Sequence, residues 1–166
     1  MIFMLDTNTF DFIYDHKLIK ILNTLVSDNQ VELHVTHVQL DEIEKISDEI
    51  KKEKIKTISY TTIVASVGFI GTDEPTSRGY VGSRIDQVEH IKSDEEEIIN
   101  RVKRTLTTTH PLANTADISI AYTAVKNEVD YLVSNDVEIH GILKEFNSSV
   151  KSITNPEFHE IIKNML

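Results

Sequence analysis

The chain contains no cysteine among its 166 residues. Disulfide bridges and thiolate-bound metals are therefore excluded, and a reducing cytoplasm is the simplest compartment for the protein. The sequence also lacks any run that approaches the roughly 18 apolar residues of a membrane-spanning helix. Its first segment, Met1–Leu5, is too short for a signal peptide and has no basic residues before it. We therefore expect a cytoplasmic protein that does not enter a membrane.

Basic side chains are few, because 17 Lys and Arg residues stand against 27 Asp and Glu, a formal net charge of -10. Proteins that bind nucleic acids usually need a basic surface. Such a function would require basic residues gathered in one place, or acidic residues whose charge is neutralised by bound cations. The 40% hydrophobic fraction indicates a globular chain, and the length is that of one domain.

Short apolar strands alternate with helical stretches along the sequence. Residues 2–5 and 131–133 are continuous apolar runs, residues 31–35 alternate between apolar and polar, and a further strand is predicted near 150–153. Stretches with apolar residues at helical spacing separate these segments. This order predicts an α/β fold with a mainly parallel sheet.

The middle of the chain, about residues 47–110, has a different pattern. A charge-rich helical stretch is followed by a turn-prone segment with four glycines between Gly68 and Gly82, and then by a second helical stretch around residues 86–106. Few large apolar residues are available here to form a separate core. We therefore interpret the chain as a single domain, residues 1–166, with an elaboration inserted at about 47–110.

Four acidic residues occupy equivalent positions in the predicted fold. Asp6 and Asp136 each follow a short apolar strand, and the carboxyl ends of parallel strands meet at one edge of the sheet. Glu42 and Asp117 lie in the first turns of helices that start near the same edge. Clustered carboxylates repel one another, and hard divalent cations such as Mg²⁺ relieve this repulsion. The sequence therefore predicts a shared metal site, at which bound cations can activate a water molecule.

Each acid also has a simpler interpretation. An aspartate after a strand is most often a turn or a helix cap, and a first-turn glutamate complements the helix dipole. Asp41 and Glu44 flank Glu42, but successive helical side chains point about 100° apart, which favours Glu42 as the one facing the cleft. Glu138 is either a further acid of the site or a solvated residue at a helix start.

Five segments resemble, in order, the motifs of the PIN-domain ribonucleases, a family that includes VapC-like toxins. The first is Asp6-Thr7-Asn8 after its strand, and the fourth, residues 132–136, has Ser134 where threonine is usual. The others are residues 38–43, 114–121 and 153–158. Together they cover roughly residues 1–46 and 111–162.

This resemblance implies a three-layer α/β/α sandwich with a PIN-like sheet in the order 3-2-1-4-5, Mg²⁺ or Mn²⁺ dependence, and endonucleolytic cleavage of RNA. Many relatives are toxins paired with an antitoxin, so the implied partners are an RNA substrate, an antitoxin or other regulatory protein, and a second copy in a homodimer. The catalytic, metal-binding acids would be Asp6, Glu42, Asp117 and Asp136, with Asn8, Ser134 and Asn135 as polar neighbours that orient them.

Basic residues in the middle region are the candidates for contact with RNA. Arg78, Tyr80 and Arg84 place an aromatic ring between two cations, an arrangement that can stack on a base, although a flexible loop fits it equally. Four lysines between residues 51 and 56 could contact phosphates, or form a solvated helix face balanced by neighbouring acids.

Other functions were weighed against the nuclease. A non-catalytic PIN-like module that binds RNA or protein is the principal alternative, but a retired site has no reason to keep four mutually repelling acids. A phosphotransferase of the haloacid-dehalogenase type needs a second acid two residues after the first, where this chain has Asn8. The seven histidines show none of the usual metal-binding spacings.

Overall fold

The computed structural model describes residues 1–63, 115–146 and 148–166. Five strands lie in these residues: β1 Ile2–Leu5, β2 Glu32–Val35, β3 Thr61–Thr62, β4 Tyr131–Val133 and β5 Lys151–Ile153. The described helices are α1 Thr7–Asp15, α2 Ile19–Ser27, α3 His37–Glu44, α4 Glu49–Ile55, α5 Thr115–Lys126, α6 Val137–Glu145 and α7 Asn155–Lys163.

The strands form one sheet in the order β3-β2-β1-β4-β5, and the four described pairings are parallel. Strand β1 lies at the centre, with Phe3 opposite Leu33 on one side and Tyr131 on the other. Because all five strands run in the same direction, their carboxyl ends meet at a single edge. The α/β class with a parallel sheet agrees with the sequence pattern, and the strand order is the one that the resemblance implied.

The two faces of the sheet are covered by different helices, since successive side chains of a strand point to opposite faces. On one face, Phe3 and Leu5 pack with apolar residues of α1, α2, α4 and α7, among them Phe158. On the other face, Met4 packs with Leu132 and with residues of α5 and α6. The strands are therefore buried on both sides, which explains their continuous apolar runs.

Polar caps start the helices that follow the strands. Thr36 and Thr154 each close a capping box at the starts of α3 and α7, and Asp6 and Asp136 accept backbone N–H groups at the starts of α1 and α6. A cap of this kind stabilises a helix by about 1 kcal/mol. Four strand–helix joins thus place polar side chains at the carboxyl edge of the sheet.

The first part of the middle region, which the sequence predicts to be an elaboration at about 47–110, packs directly on the core of the fold. Helix α4 docks on the core through Ile55, which is fully buried, and Ile58 follows it there. Strand β3 then extends the sheet, with Thr61 opposite His34. The sequence did not reveal this because α4 is rich in charge and the two residues of β3 are exposed. The rest of this region, residues 64–110, lies outside the described residues.

No helix in the described parts of the chain is long and apolar enough to cross a bilayer.

Helix α1 ends at a position that normally favours glycine. Lys17 has a φ of 56°, and the next residue, Leu18, donates its N–H to Ile13 O at 3.0 Å to close the helix. We expect Lys17→Gly to raise the free energy of unfolding, by about 1 kcal/mol, since glycine adopts positive φ without steric cost.

Lys52→Gly is the matched control, because it places glycine inside α4 and is expected to lower stability by about 1 kcal/mol. Urea unfolding of both variants tests the opposite signs. Destabilisation by both substitutions would contradict this account of Lys17.

Candidate active site

Asp6 lies at the carboxyl end of the central strand and is only 7% exposed. Its Oδ1 atom accepts the backbone N–H of Thr7 at 2.7 Å, which caps α1. Its Oδ2 atom accepts the hydroxyl of Ser134 at 2.6 Å and the side-chain amide of Asn8. Both oxygens of this buried carboxylate are thus held in fixed positions.

Two further carboxylates lie within electrostatic range of Asp6. Burial raises the pKa of Asp6 above its ordinary value of 3.8, and the negative charges of Glu42 and Asp136 raise this pKa further. Hydrogen bonds from Ser134 and from the Thr7 backbone oppose the rise. The edge of the sheet therefore gathers three acids at a cost that a bound cation would relieve.

Glu42 reaches the site from the C-terminal half of α3, and the prediction that it lies in the first turn is wrong. Its Oε2 atom accepts the hydroxyl of Thr7, the residue after Asp6. Glu44 is exposed and pairs instead with Lys56 on α4, at 2.8 Å. Of these two glutamates, Glu42 is the one that faces Asp6, as helical geometry predicted.

Asp136 enters the site from the end of β4. Its Oδ1 atom accepts the N–H of Glu138 at 2.8 Å and so caps α6, while its own N–H donates to Ser134 Oγ at 2.9 Å. Ser134 therefore connects Asp6 and Asp136. Both aspartates are helix caps, as the simpler interpretation predicted. Capping does not exclude a role in metal binding, because the charge of Asp136 also acts on Asp6.

Asp117 is the acid whose place in the cluster the structure does not establish. It lies in the first turn of α5 and is half-buried. The charges that raise the pKa of Asp6 are those of Glu42 and Asp136, and Asp117 is not among them. The structure thus places Glu42 and Asp136 within electrostatic range of Asp6, and the part played by Asp117 stays a prediction.

The polar neighbours named from the sequence all contact the acids or one another. Asn8 and Ser134 donate to Asp6, and the backbone N–H of Asn135 donates to Asn8 Oδ1 at 3.1 Å. Sequence reasoning missed other members of this network: Thr7, Thr9, Gln39, His140 and Asn155. Thr7, Gln39 and Asn155 stand inside the motif segments without having been assigned a role, whereas Thr9 and His140 had no sequence signal.

The lysines of α4 are largely engaged with acids. Lys51 pairs with Asp11 at 2.8 Å, Lys52 with Glu49 at 2.7 Å, and Lys56 with Glu44. These ion pairs favour a structural role over phosphate contact for these three lysines. Lys54 lines a cavity of about 880 Å³ together with Lys17 and Lys20, and none of the four predicted acids lines this cavity.

The residues predicted to contact RNA are Arg78, Tyr80 and Arg84, and all three lie outside the described residues.

The carboxylate oxygens of the site suit a hard cation, although the acids do not lie closely around a single point. Asp6, Glu42 and Asp136 offer carboxylate oxygens, the ligands that Mg²⁺ and Mn²⁺ prefer. Within the described residues, no three acidic or histidine side chains lie close enough together to enclose a metal ion as they stand. Mg²⁺ commonly binds through one or two carboxylates and keeps several water molecules, so a site of this kind fits an ion that retains much of its hydration.

We expect the effect of Mn²⁺ on thermal stability to depend on pH. Since the folded pKa of Asp6 is raised, Asp6 stabilises the metal-free protein most below the unfolded pKa of 3.8, and this contribution is lost as the pH rises through the folded value. Mn²⁺ binds the ionised form, so it should stabilise the protein at about pH 7.5 and hardly at about pH 4. At roughly 100 times Kd the gain is about 2.7 kcal/mol. Differential scanning fluorimetry with and without Mn²⁺ measures it, and equal shifts at both pH values would contradict the expectation.

No protein-family model and no curated protein sequence matches the chain. Among solved structures, a chain from the VapBC2 complex of Rickettsia felis, bound to a DNA fragment from its promoter, matches with a TM-score of 0.50 and 15% identity, covering 92% of this chain and 98% of that one. A chain from the FitAcB complex of Neisseria gonorrhoeae matches with a TM-score of 0.44 and 14% identity, covering 90% and 96%. At this identity, the VapBC2 match shows a similar fold and no more.

The assignment to the PIN-domain ribonuclease family, and the PIN-like label of the fold, are therefore corrected. No family model matches the chain, and the likeness to a chain of the VapBC2 complex, at 15% identity, shows a similar fold and not a PIN ribonuclease. The physical reason lies in the motifs themselves. Asp6, Thr36, Asp136 and Thr154 all serve as helix caps, and capping places such residues at strand–helix joins in α/β proteins generally.

Proposed function

We propose that the chain is a metal-dependent hydrolase of phosphodiester bonds, with RNA as its substrate. The observation that carries this proposal is the buried carboxylate of Asp6 within range of two other acids, Glu42 and Asp136. A group whose pKa is shifted by burial and by specific charged neighbours is a candidate for a functional site. The proposal rests on this geometry and not on family membership.

In this proposal Asp6 and Asp136 would hold a divalent cation from neighbouring strand ends, and Glu42 would hold it from α3 or orient a water molecule beside it. The cation would polarise the phosphate and lower the pKa of a bound water. The hydroxyl of Thr7 holds Glu42, and that of Ser134 holds Asp6, so two of the carboxylates are oriented before substrate arrives. Such preorganisation reduces the rearrangement needed during the reaction.

The proposal also accounts for an acidic chain acting on a polyanion. Part of the net charge of -10 belongs to the cluster of acids, and bound cations would neutralise that part where the phosphate must approach. Divalent-metal chemistry does not need the 2′-hydroxyl of RNA. The choice of RNA over DNA is therefore the part of the proposal that most needs its own measurement.

Incubation of the purified protein with mixed single-stranded and structured RNA, and separately with DNA, tests the activity. We expect cleavage with Mn²⁺ or Mg²⁺, none with EDTA, and recovery when the metal is restored. Cleavage that survives EDTA, or an absence of cleavage with every metal tested, would contradict the proposal.

The pair Glu42→Gln and Glu44→Gln supplies a control matched in chemistry and lying on one helix. Glu42 faces Asp6 and Glu44 faces solvent and Lys56, so we expect Glu42→Gln to reduce cleavage on the order of 10²-fold and Glu44→Gln to leave it nearly unchanged. Initial rates at saturating Mn²⁺ provide the comparison. A larger loss in Glu44→Gln would show that the acid was misassigned.

We also infer a protein partner, and that the chain is the toxin of a toxin–antitoxin pair. The support is the similar fold of a chain from the VapBC2 complex. Induced expression in a bacterial host should then arrest growth, whereas Asp6→Asn, expressed at the same level, should not. Growth arrest by both proteins would show that the toxicity does not depend on the acidic site. Normal growth with both proteins would contradict the inference that the chain is a toxin.

A further inference from the structure

Two fully buried polar side chains lie beneath the acids, on helices that are remote in sequence. Thr9 of α1 is 0% exposed and Asn155 of α7 is 1% exposed. They are 146 positions apart, and the Thr9 hydroxyl donates to Asn155 Oδ1 at 2.9 Å. Burial of such groups is unfavourable unless their hydrogen bonds are made. Apolar residues would fill this space at lower cost, so the pair invites a functional explanation.

The hydrogen bonds of Asn8 fix the orientation of its side-chain amide. The backbone N–H of Asn135 can only donate, and it lies 3.1 Å from Asn8 Oδ1. The Nδ2 end must therefore point the other way, where it donates to Asp6 and lies 3.1 Å from Ser134 Oγ. Asn8 thus presents a donor to the carboxylate of Asp6.

The orientation of Asn155 follows from that of Asn8. Its Nδ2 atom donates to Asn8 Oδ1 at 3.2 Å, so its Oδ1 atom must face Thr9 and accept the hydroxyl proton. Thr9 Oγ1 also lies 3.0 Å from the carbonyl oxygen of Val133, which can only accept, so the single hydroxyl proton of Thr9 is shared between these two acceptors. The donors run in one direction, from Thr9 through Asn155 to Asn8.

The backbone of Asn155 adds a second connection to the site. Its N–H donates to Asn135 Oδ1 at 2.9 Å, and Asn135 in turn donates its own N–H to Asn8. Asn155 therefore connects the start of α7 to the segments that follow β1 and β4. These segments contain Asp6 and Asp136.

We propose that Thr9 and Asn155 are positioning residues, which hold Asn8 in the orientation that fixes Asp6 for cation binding. Neither residue is exposed enough to touch a substrate, so each acts through Asn8. Without this support, repulsion from Glu42 and Asp136 favours movement of the Asp6 carboxylate away from the site. The inference rests on the proposed function for its consequence, although the positioning itself is a property of the metal-free protein.

The variants Thr9→Val and Thr9→Ser separate positioning from packing. Valine keeps the shape of threonine and loses the hydroxyl, whereas serine keeps the hydroxyl and loses a buried methyl group. We expect Thr9→Val to raise the Kd for Mn²⁺ by roughly 10- to 100-fold, the usual effect of a lost hydrogen bond behind a metal ligand. Thr9→Ser should lower the melting temperature and leave this Kd within about threefold of the native value.

Titration of Mn²⁺ followed by electron paramagnetic resonance gives the Kd, and thermal unfolding gives the stability of each variant. Asn155→Ala should resemble Thr9→Val in its Kd. Asn127→Ala, which removes a side-chain donor to a backbone carbonyl on α5, is its control and should not alter the Kd. If Thr9→Val and Thr9→Ser raised the Kd equally, and the rise followed the loss of stability, the positioning role would be overturned.

A metal-free measurement keeps the inference separate from the proposed function. Hydrogen exchange of the Asn8 side-chain amide, followed by nuclear magnetic resonance, should be at least about tenfold faster in Thr9→Val than in the native and Thr9→Ser proteins. If the native protein binds no Mn²⁺, the proposed function fails, and this exchange still decides the inference. Equal exchange in all three proteins would overturn it.

Discussion

Replacement of Asp6 by asparagine should reduce metal-dependent RNA cleavage on the order of 10³-fold, because a charged ligand at the centre of the site is lost and such ligands contribute several kcal/mol to transition-state stabilisation. The fold should persist, since asparagine caps a helix about as well as aspartate and can still accept the N–H of Thr7. Initial cleavage rates at saturating Mn²⁺, together with circular dichroism, measure both expectations.

Asp28→Asn is the control for this variant. Asp28 is exposed at the end of α2, so the same chemical change there should leave the cleavage rate unaltered. An Asp6→Asn protein that is folded and retains more than about a tenth of the native rate would show that Asp6 is a cap and not a metal ligand.

Replacement of Ile55 by alanine should lower the free energy of unfolding by about 2–5 kcal/mol, the range observed when a large aliphatic side chain is removed from a packed core. Ile55 is fully buried between α4 and the sheet, although the helix that carries it is otherwise charged. The result tests directly whether residues 49–62 belong to the core.

Ile50→Ala on the same helix is the matched control. Ile50 is 72% exposed, and its truncation should change stability by less than about 0.5 kcal/mol. Urea unfolding monitored by tyrosine fluorescence gives both values. Equal, small losses from the two variants would mean that α4 is attached loosely, as an insertion would be.

The alternation of strands and helices was predictable from the sequence because each central strand is buried on both faces. The runs at residues 2–5 and 131–133 are apolar throughout and end abruptly in polar residues that cap the next helix. Strand β3 was not predictable in the same way. Its two residues are exposed threonines at the edge of the sheet, and only their pairing with His34 and Val35 of β2 identifies them as a strand.

The grouping of the acids was predictable from where the strands end, whereas the network that supports them was not. Asp6 and Asp136 come together because β1 and β4 are parallel neighbours. Thr9 and Asn155 meet only because the fold brings the starts of α1 and α7 together, and no local sequence pattern predicts that approach. In the sequence, both positions look like those of ordinary buried core residues on a helix.

The family could not be read from the same residues. Aspartate, serine and threonine after a strand are selected by the need to satisfy the first N–H groups of a helix, whatever the function of the protein. The function is therefore inferred from the electrostatics of the site, where Asp6 is buried within range of the charges of Glu42 and Asp136. It is not inferred from the order of the motifs.

Direct binding of Mn²⁺ to the metal-free protein tests this account most closely. Electron paramagnetic resonance of free Mn²⁺ should show saturable binding to the native protein at about pH 7.5, with Kd raised at least about tenfold in Asp6→Asn and unchanged in Asp28→Asn. No saturable binding, or the same Kd in all three proteins, would contradict a metal site at the carboxyl edge of the sheet.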